Sequence, residues 1–178
     1  MPHNTQTAPS DEAAAHSACF TGHRPNRFSG VRMDDLCLDI SAAITDAIEE
    51  GYDTFYCGMA QGTDILAGEL TAALRQQYPW IRLIAVVPFP EQTAGWDTDW
   101  LQRYESLLEK SDEVRTLLPH IQKGGYLLRD RYMVDRSSLL IGVYGGSPRG
   151  GTAYTVRYAR KKGLRIRLLP PQSYRRQK

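Results

Sequence analysis

The sequence predicts an α/β fold, a Rossmann-like three-layer sandwich with a mostly parallel sheet. Three observations predict it. Short apolar runs alternate with longer segments of helical periodicity along nearly the whole chain. The runs at 81–87 and 139–143 are apolar almost throughout, as strands covered on both faces are. Glycine-rich corners follow several runs, at the points where a strand gives way to a helix.

Each element has its own justification. Residues 18–21 form a short strand that stops at Gly22. A helix spans 34–50, with Leu36, Ile40, Ala43, Ile44, Ala47 and Ile48 on one face and Gly51 as its C-cap. The second strand is 54–57. The second helix is 63–77, with Ile65, Leu66, Leu70, Ala73 and Leu74 turned inward. The third strand, 81–87, ends at Pro88 and Pro90. A helix at 96–110, a strand at 113–118, a helix at 126–136, a strand at 139–143, a helix at 151–162 and a strand at 165–169 complete the alternation. The crossovers are expected to be right-handed. Ligands of open parallel sheets bind outside the carboxyl ends of the strands, so those corners are where function is sought.

The chain has 178 residues, which suggests one domain. It is placed over 17–170, with a disordered leader at 1–16 and a basic tail at 171–178. The net charge of +2 is too small to imply a nucleic-acid surface by itself. There is neither a membrane-length apolar run nor the apolar core of a secretory signal, so a cytoplasmic protein is expected. Cys19, Cys37 and Cys57 read as reduced thiols. Cys19 and Cys57 lie near strand ends, where they could be neighbours, and read best as small buried hydrophobes. His3, His16, His23 and His120 form no metal-ligand pattern, and no metal is expected.

Four segments carry the candidate chemistry, each just after a strand. In Thr21-Gly22-His23-Arg24-Pro25, Gly22 permits a close backbone approach, Arg24 suits a phosphate or carboxylate, and His23 can donate or exchange a proton. In the segment from Gly58 to Asp64, Gly58 and Gly62 expose backbone amides at a helix start. Thr63 reads as the N-cap, and Asp64 either complements the helix dipole or accepts from a ribose hydroxyl. The third segment contains Gly145, Gly146, Gly150, Gly151 and Thr152. Four glycines within seven residues exceed what a turn needs, so a second phosphate cradle is expected. After the third strand, Phe89 either stacks on a base or plugs the sheet. Arg129 and Met133 lie one turn apart on a helix, where periodicity alone suggests a solvated basic face around a core stripe. Trp96, Trp100 and Tyr104 share a helix face and read as core or as a dimer interface.

Thr-Gly-His-Arg-Pro, Gly-x-x-x-Gly-Thr-Asp, Arg-Asp-x-Tyr-Met-Val-Asp and Gly-Gly-Thr-Ala-Tyr-Thr-Val-x-Tyr-Ala together resemble the YpsA-like family of the SLOG superfamily. The resemblance covers about 19–169. The superfamily includes the LOG cytokinin-activating phosphoribohydrolases and the Smf/DprA DNA-uptake proteins. What the resemblance implies is a Rossmann-like fold, a homodimer, and a glycine-loop site for a nucleotide-like or ADP-ribose-like ligand, with Arg129 among its residues. Asp130 stands where the family pattern has Asn. LOG-type hydrolases carry a catalytic glutamate near the position of Thr155, and here no acid lies between Gly150 and Lys162. The leading expectation is therefore a ligand-binding or sensor protein. The alternative is a nucleoside-monophosphate phosphoribohydrolase with Asp64, Arg129 and Asp130 as candidate catalytic groups. Single-stranded nucleic acid is a less favoured partner, suggested by the resemblance to the DNA-uptake branch, by the basic tail and by Arg157, Arg160, Lys161 and Lys162. No membrane partner is expected.

Overall fold

The computed structural model describes residues 11–175. Six strands form one sheet: β1 (Ser17–Gly22), β2 (Thr54–Cys57), β3 (Arg82–Val87), β4 (Glu113–Thr116), β5 (Leu139–Val143) and β6 (Arg165–Leu169). The helices are α1 (Asp11–Ala15), α2 (Met33–Glu49), α3 (Thr63–Leu74), α4 (Thr98–Lys110), α5 (Gly125–Val134) and α6 (Gly151–Lys161). Every strand pair is parallel, in the order β4-β3-β2-β1-β5-β6. The chain steps outward from β1 to β4, then crosses back to place β5 on the other side of β1. The β1–β5 boundary is thus the topological switch point, where a crevice opens beyond the carboxyl ends.

Strand alternation divides the core. Ala18, Phe20, Phe55, Cys57, Leu83, Ala85 and Val87 face one side, where α2, α3 and α4 cover them with Leu36, Ile40, Ile65 and Leu107. Cys19, Tyr56, Ile84, Val86 and Leu140 face the other, under Met133 of α5 and Val156 and Ala159 of α6. Cys19 and Cys57 are therefore buried on opposite faces and are not neighbours. Full burial of each large apolar side chain stabilises the fold by about 1.5–3 kcal/mol.

Helix ends depart from the sequence expectation where local chemistry intervenes. The α4 helix begins at Thr98 rather than 96, because the Asp97 side chain accepts the Trp100 N–H at 3.0 Å as an N-cap. The α3 helix ends at Leu74, and Tyr78 N–H turns back to the Leu74 carbonyl at 2.9 Å. The leader expected over 1–16 is helical at Asp11–Ala15, tied down by Ser17 Oγ donating to the Ala13 carbonyl and Ser138 Oγ to that of Ala15, each at 2.8 Å; residues 1–10 lie outside the described residues. The tail expected from 171 onward is folded as far as Arg175. Pro171–Tyr174 makes a 3-10 turn, buried Tyr174 donates to Asp39 Oδ2 at 2.7 Å, and Arg175 bridges Val31. Residues 176–178 lie outside the described residues. Among the described residues, no helix is long and apolar enough to cross a membrane, and no group of His, Cys, Asp or Glu could hold a metal ion.

Candidate functional site

Three corners meet at the carboxyl end of β1, all on one rim of the sheet. Gly22 is the point of contact. A Cβ there would lie 2.3 Å from Thr63 Oγ1, so only glycine lets β1 end against the start of α3. On its other side Thr152 Oγ1, from the first turn of α6, donates to the Gly22 carbonyl at 3.0 Å. The two glycine corners expected to form cradles therefore flank the same strand end, but they differ in use. At α3 the N-cap is Gly62, not Thr63. Thr63 donates both its N–H (3.2 Å) and its hydroxyl (3.1 Å) to the His23 carbonyl. That helix start is a brace between loops, with its leading amide already spent. At α6 the start is open: a Cβ at Gly146, Gly150 or Gly151 would meet nothing within 4 Å.

Beneath the rim lies a buried polar floor. Arg129, on α5, is 5 % exposed, which corrects the solvated face that periodicity suggested. Its Nη1 donates to the Gly58 carbonyl at 2.9 Å and to Gln92 Oε1 at 3.3 Å, and its Nε and Nη2 reach Asp130 Oδ1 at 3.1 and 2.8 Å. Asp130 Oδ2 lies 3.0 Å from Thr155 Oγ1, which is also 2.9 Å from the Gly151 carbonyl. Both Asp130 oxygens are thus engaged, and the residue holds Arg129 in place. Gly58 is required here: a Cβ would stand 2.6 Å from Asp64 Oδ2 and 2.8 Å from Arg129 Nε. Asp64 is buried in the first turn of α3, where the Ala60 N–H donates to its Oδ2 at 3.4 Å. Burial pushes its carboxyl up to about 6; neighbouring Asp130 adds to this, while Arg129 and Arg24 oppose it.

The floor opens as a cavity of about 100 Å³ lined by residues that include Thr21, Gly22, Arg24, Asp64, Tyr126 and Gly151. Beside it a cavity of about 220 Å³ is rimmed by Arg24, Arg27, Arg149, Gly150, Gly151 and Thr152. Gly151 lines both. His23 takes part as a fixed neutral ring. Its Nε2 accepts the Gly145 N–H at 3.0 Å, and partial burial, aided by Arg27, lowers its pKa. Neither that nitrogen nor the Gly145 amide is left to greet an anion.

Most of the expected site residues are brought together: Thr21, Gly22, His23, Arg24, Gly58, Gly62, Thr63, Asp64, Arg129, Gly145, Gly150, Gly151 and Thr152 all belong to these corners or the floor. Phe89 is the exception. It is 0 % exposed, its ring meets Tyr126 edge-on at 5.1 Å, and Gly125 presses against it, so it plugs the sheet and offers no face to a base. Trp96 and Trp100 pack on the core with Tyr104, so the aromatic stripe serves the fold. Sequence reasoning missed Gln92, whose Nε2 donates to the Met59 carbonyl at 2.7 Å while its Oε1 accepts from Arg129. Thr155 was visible only as the position where a glutamate is absent. The thiols of Cys19 and Cys57 are inert: burial raises both, that of Cys19 to about 12.

Fold and site together define a Rossmann-like α/β protein with a polar crevice at its switch point. The sequence profile of the YspA SLOG family (YpsA) matches residues 18–172, and the chain belongs to that family. It is 27 % identical over 150 residues to UPF0398 proteins of Bacillus thuringiensis (strain Al Hakam) and Bacillus cereus (strain AH187), an alignment spanning 80 % of this chain and 82 % of each relative. The fold is similar to that of DNA processing protein A from Helicobacter pylori, described for its single-stranded DNA binding mode. The TM-score is 0.59 at 18 % identity, covering 89 % of this chain and 66 % of that one. DNA processing protein A from Streptococcus pneumoniae gives 0.57 at 15 % identity, covering 90 % and 52 %.

Proposed function

We propose that the protein binds a nucleotide-related, phosphate-bearing small molecule in the switch-point crevice and acts as a ligand sensor. The carrying observation is that Gly151 lines both the arginine-rimmed cavity and the acid-floored one. A phosphate at the open start of α6 meets free amides, a positive helix end and the Arg24 guanidinium. The sugar attached to it then lies over Asp64, a carboxylate able to accept from ribose hydroxyls. Hydrolysis is less well supported. Asp130 is engaged through both oxygens and α6 brings no acid, which leaves Asp64 alone among the candidate acids of this floor. The test is thermal unfolding with AMP and ADP-ribose, scored alongside assay of free base. Ligand at 100 times its Kd adds about 2.7 kcal/mol of stability. The expected result is a raised Tm for at least one compound without base release. An unchanged Tm at saturating concentration removes the reading, and base release abolished by Asp64→Asn replaces it with the hydrolase.

A second reading is single-stranded nucleic acid. On α6, Tyr154 and Tyr158 stack with rings 6.1 Å apart and 6° from parallel, and the Arg131 guanidinium lies over both. Arg157, Arg160 and Lys161 are exposed on the same helix. Aromatic platforms beside cations suit unpaired bases, and the fold is similar to that of the Helicobacter pylori protein described for its single-stranded DNA binding mode. Salt-dependent retention of a labelled oligonucleotide, lost in Arg131→Ala, is the result this reading requires.

A further inference from the structure

We propose that the ligand ends in a free terminal phosphate beyond the one at the α6 start, as a nucleoside diphosphate does, and that a cavity walled by the C-terminal turn is the subsite for it. This rests on the small-molecule reading above and narrows it. A cavity of about 140 Å³ is lined by residues that include Arg27, Ser147, Pro171, Gln172 and Arg175. It shares His23, Arg27 and Ser147 with the arginine-rimmed cavity at the α6 start. It shares no residue with the acid-floored cavity, which meets the α6 cavity at Arg24 and Gly151. The three spaces therefore run in a row: the Asp64 floor, the α6 start, the C-terminal turn. A sugar over the first and a phosphate in the second leave the third for whatever that phosphate carries next.

The chemistry of the third space selects the group. Neither it nor the α6 cavity is lined by an Asp or Glu, whereas the floor holds two carboxylates, Asp64 and Asp130. The side chains of Arg27, Arg149 and Arg175 make no hydrogen bond or ion pair with any described residue, so three guanidiniums stand uncompensated around adjoining spaces. His23 lines both spaces. Because its Nε2 accepts the Gly145 N–H, the neutral ring carries its proton on Nδ1, a donor with no acceptor among the described residues. The far wall is the C-terminal turn, which reaches the glycine loop: Gln172 Oε1 would lie 3.0 Å from a Cβ at Gly145. An acid-free pocket of unpaired guanidiniums favours the most highly charged group. A terminal phosphate has a second ionisation near neutral pH that a bridging phosphate lacks, and a sugar in its place would bring no charge. A nucleoside diphosphate is thus favoured over a monophosphate, which leaves the space empty, and over a diphosphate capped by a sugar. A strand is disfavoured here, because no Phe, Tyr or Trp lines either cavity to stack its bases.

Isothermal titration with AMP, ADP, ADP-ribose and tetrathymidylate tests the proposal on the full chain. The expected result is ADP binding at least tenfold tighter than either AMP or ADP-ribose. Gln172→Glu, which puts a carboxylate in the C-terminal cavity alone, is expected to remove that advantage and leave AMP affinity unchanged. Arg175→Gln is expected to weaken ADP several-fold and AMP not at all. Both side chains are exposed and hydrogen-bond to no described residue, so neither change strikes the core. ADP no tighter than AMP, ADP-ribose as tight as ADP, or losses that strike AMP and ADP alike overturn the terminal-phosphate subsite while leaving the site at the α6 start standing. Tetrathymidylate binding tighter than ADP overturns it in favour of a strand. Binding of none of the four overturns both sites together.

Discussion

Asp64 is the residue on which the chemistry turns. Its carboxyl titrates near 6 in the folded chain, well above the ordinary value of about 3.9, because burial disfavours the charge. A folded value above the unfolded one means that ionisation costs stability. The cost is absent below about pH 4, grows as pH rises to about 6, and stays in full above it, on the order of 3 kcal/mol. Asp64→Asn is therefore expected to melt higher than the parent at pH 7.5, with the two curves converging by pH 4 in a calorimetric series. The same variant should bind ribose-containing ligand more weakly at pH 7.5, and the parent's affinity should rise as pH passes through 6. Gly58→Ala carries the opposite sign. Its added methyl would press on Asp64 Oδ2 and Arg129 Nε, so urea unfolding should show a loss of about 1–3 kcal/mol. Asp64, Gly58 and Arg129 were legible because each sits in a recognisable motif. The bonds that define their work were not. Gln92 lies in a proline-led turn with no motif, and it reaches Arg129 across 37 positions of chain. That Asp130 is spent on Arg129 and Thr155 is a fact of packing between α5 and α6, and no spacing announces it.

At the scale of elements, the helix starts of α3 and α6 look alike as sequence, glycines followed by threonine, and serve different ends. What separates them is a carbonyl, that of His23, forty positions from Thr63, which takes up the α3 donors. The α6 start keeps its amides, and Gly151→Asp should expose the difference. A carboxylate in the first turn favours the helix dipole by about 0.3–1 kcal/mol, so Tm should hold or rise slightly. It also puts negative charge where the phosphate belongs, so AMP binding should vanish in titration. Strands were the most legible elements. Those at 54–57, 139–143 and 165–169 keep their expected bounds; the first two are apolar runs held inside the sheet, and the last is the half-buried edge strand β6. Helix ends were less legible because a cap such as Asp97 overrides periodicity by a residue or two.

For the whole molecule, alternation of strands and helices was enough to give a parallel sheet and the end at which to look, but the strand order had to come from the structure. That order puts β1 and β5 side by side and gathers Arg24, Arg27 and Arg149 around one mouth. With a net charge of only +2, attraction for anions is local to this mouth. Exposed charges are screened within about 8–10 Å at physiological salt. The Kd for AMP should therefore weaken on going from 50 to 500 mM NaCl, whereas a salt-insensitive Kd would place the phosphate away from these arginines. The loop that completes the mouth, residues 145–151, is tied at Gly145 to His23, at Ser147 to the Tyr144 hydroxyl and at Pro148 to Arg157, while a Cβ at Gly146, Gly150 or Gly151 would meet nothing within 4 Å. Within it Gly151, whose φ is ordinary and whose Cβ position is open, can take other side chains without disturbing the sheet beneath, whereas Gly146 and Gly150 hold positive φ and favour glycine. Libraries confined to that stretch offer a direct route to redirecting which cargo the scaffold accepts.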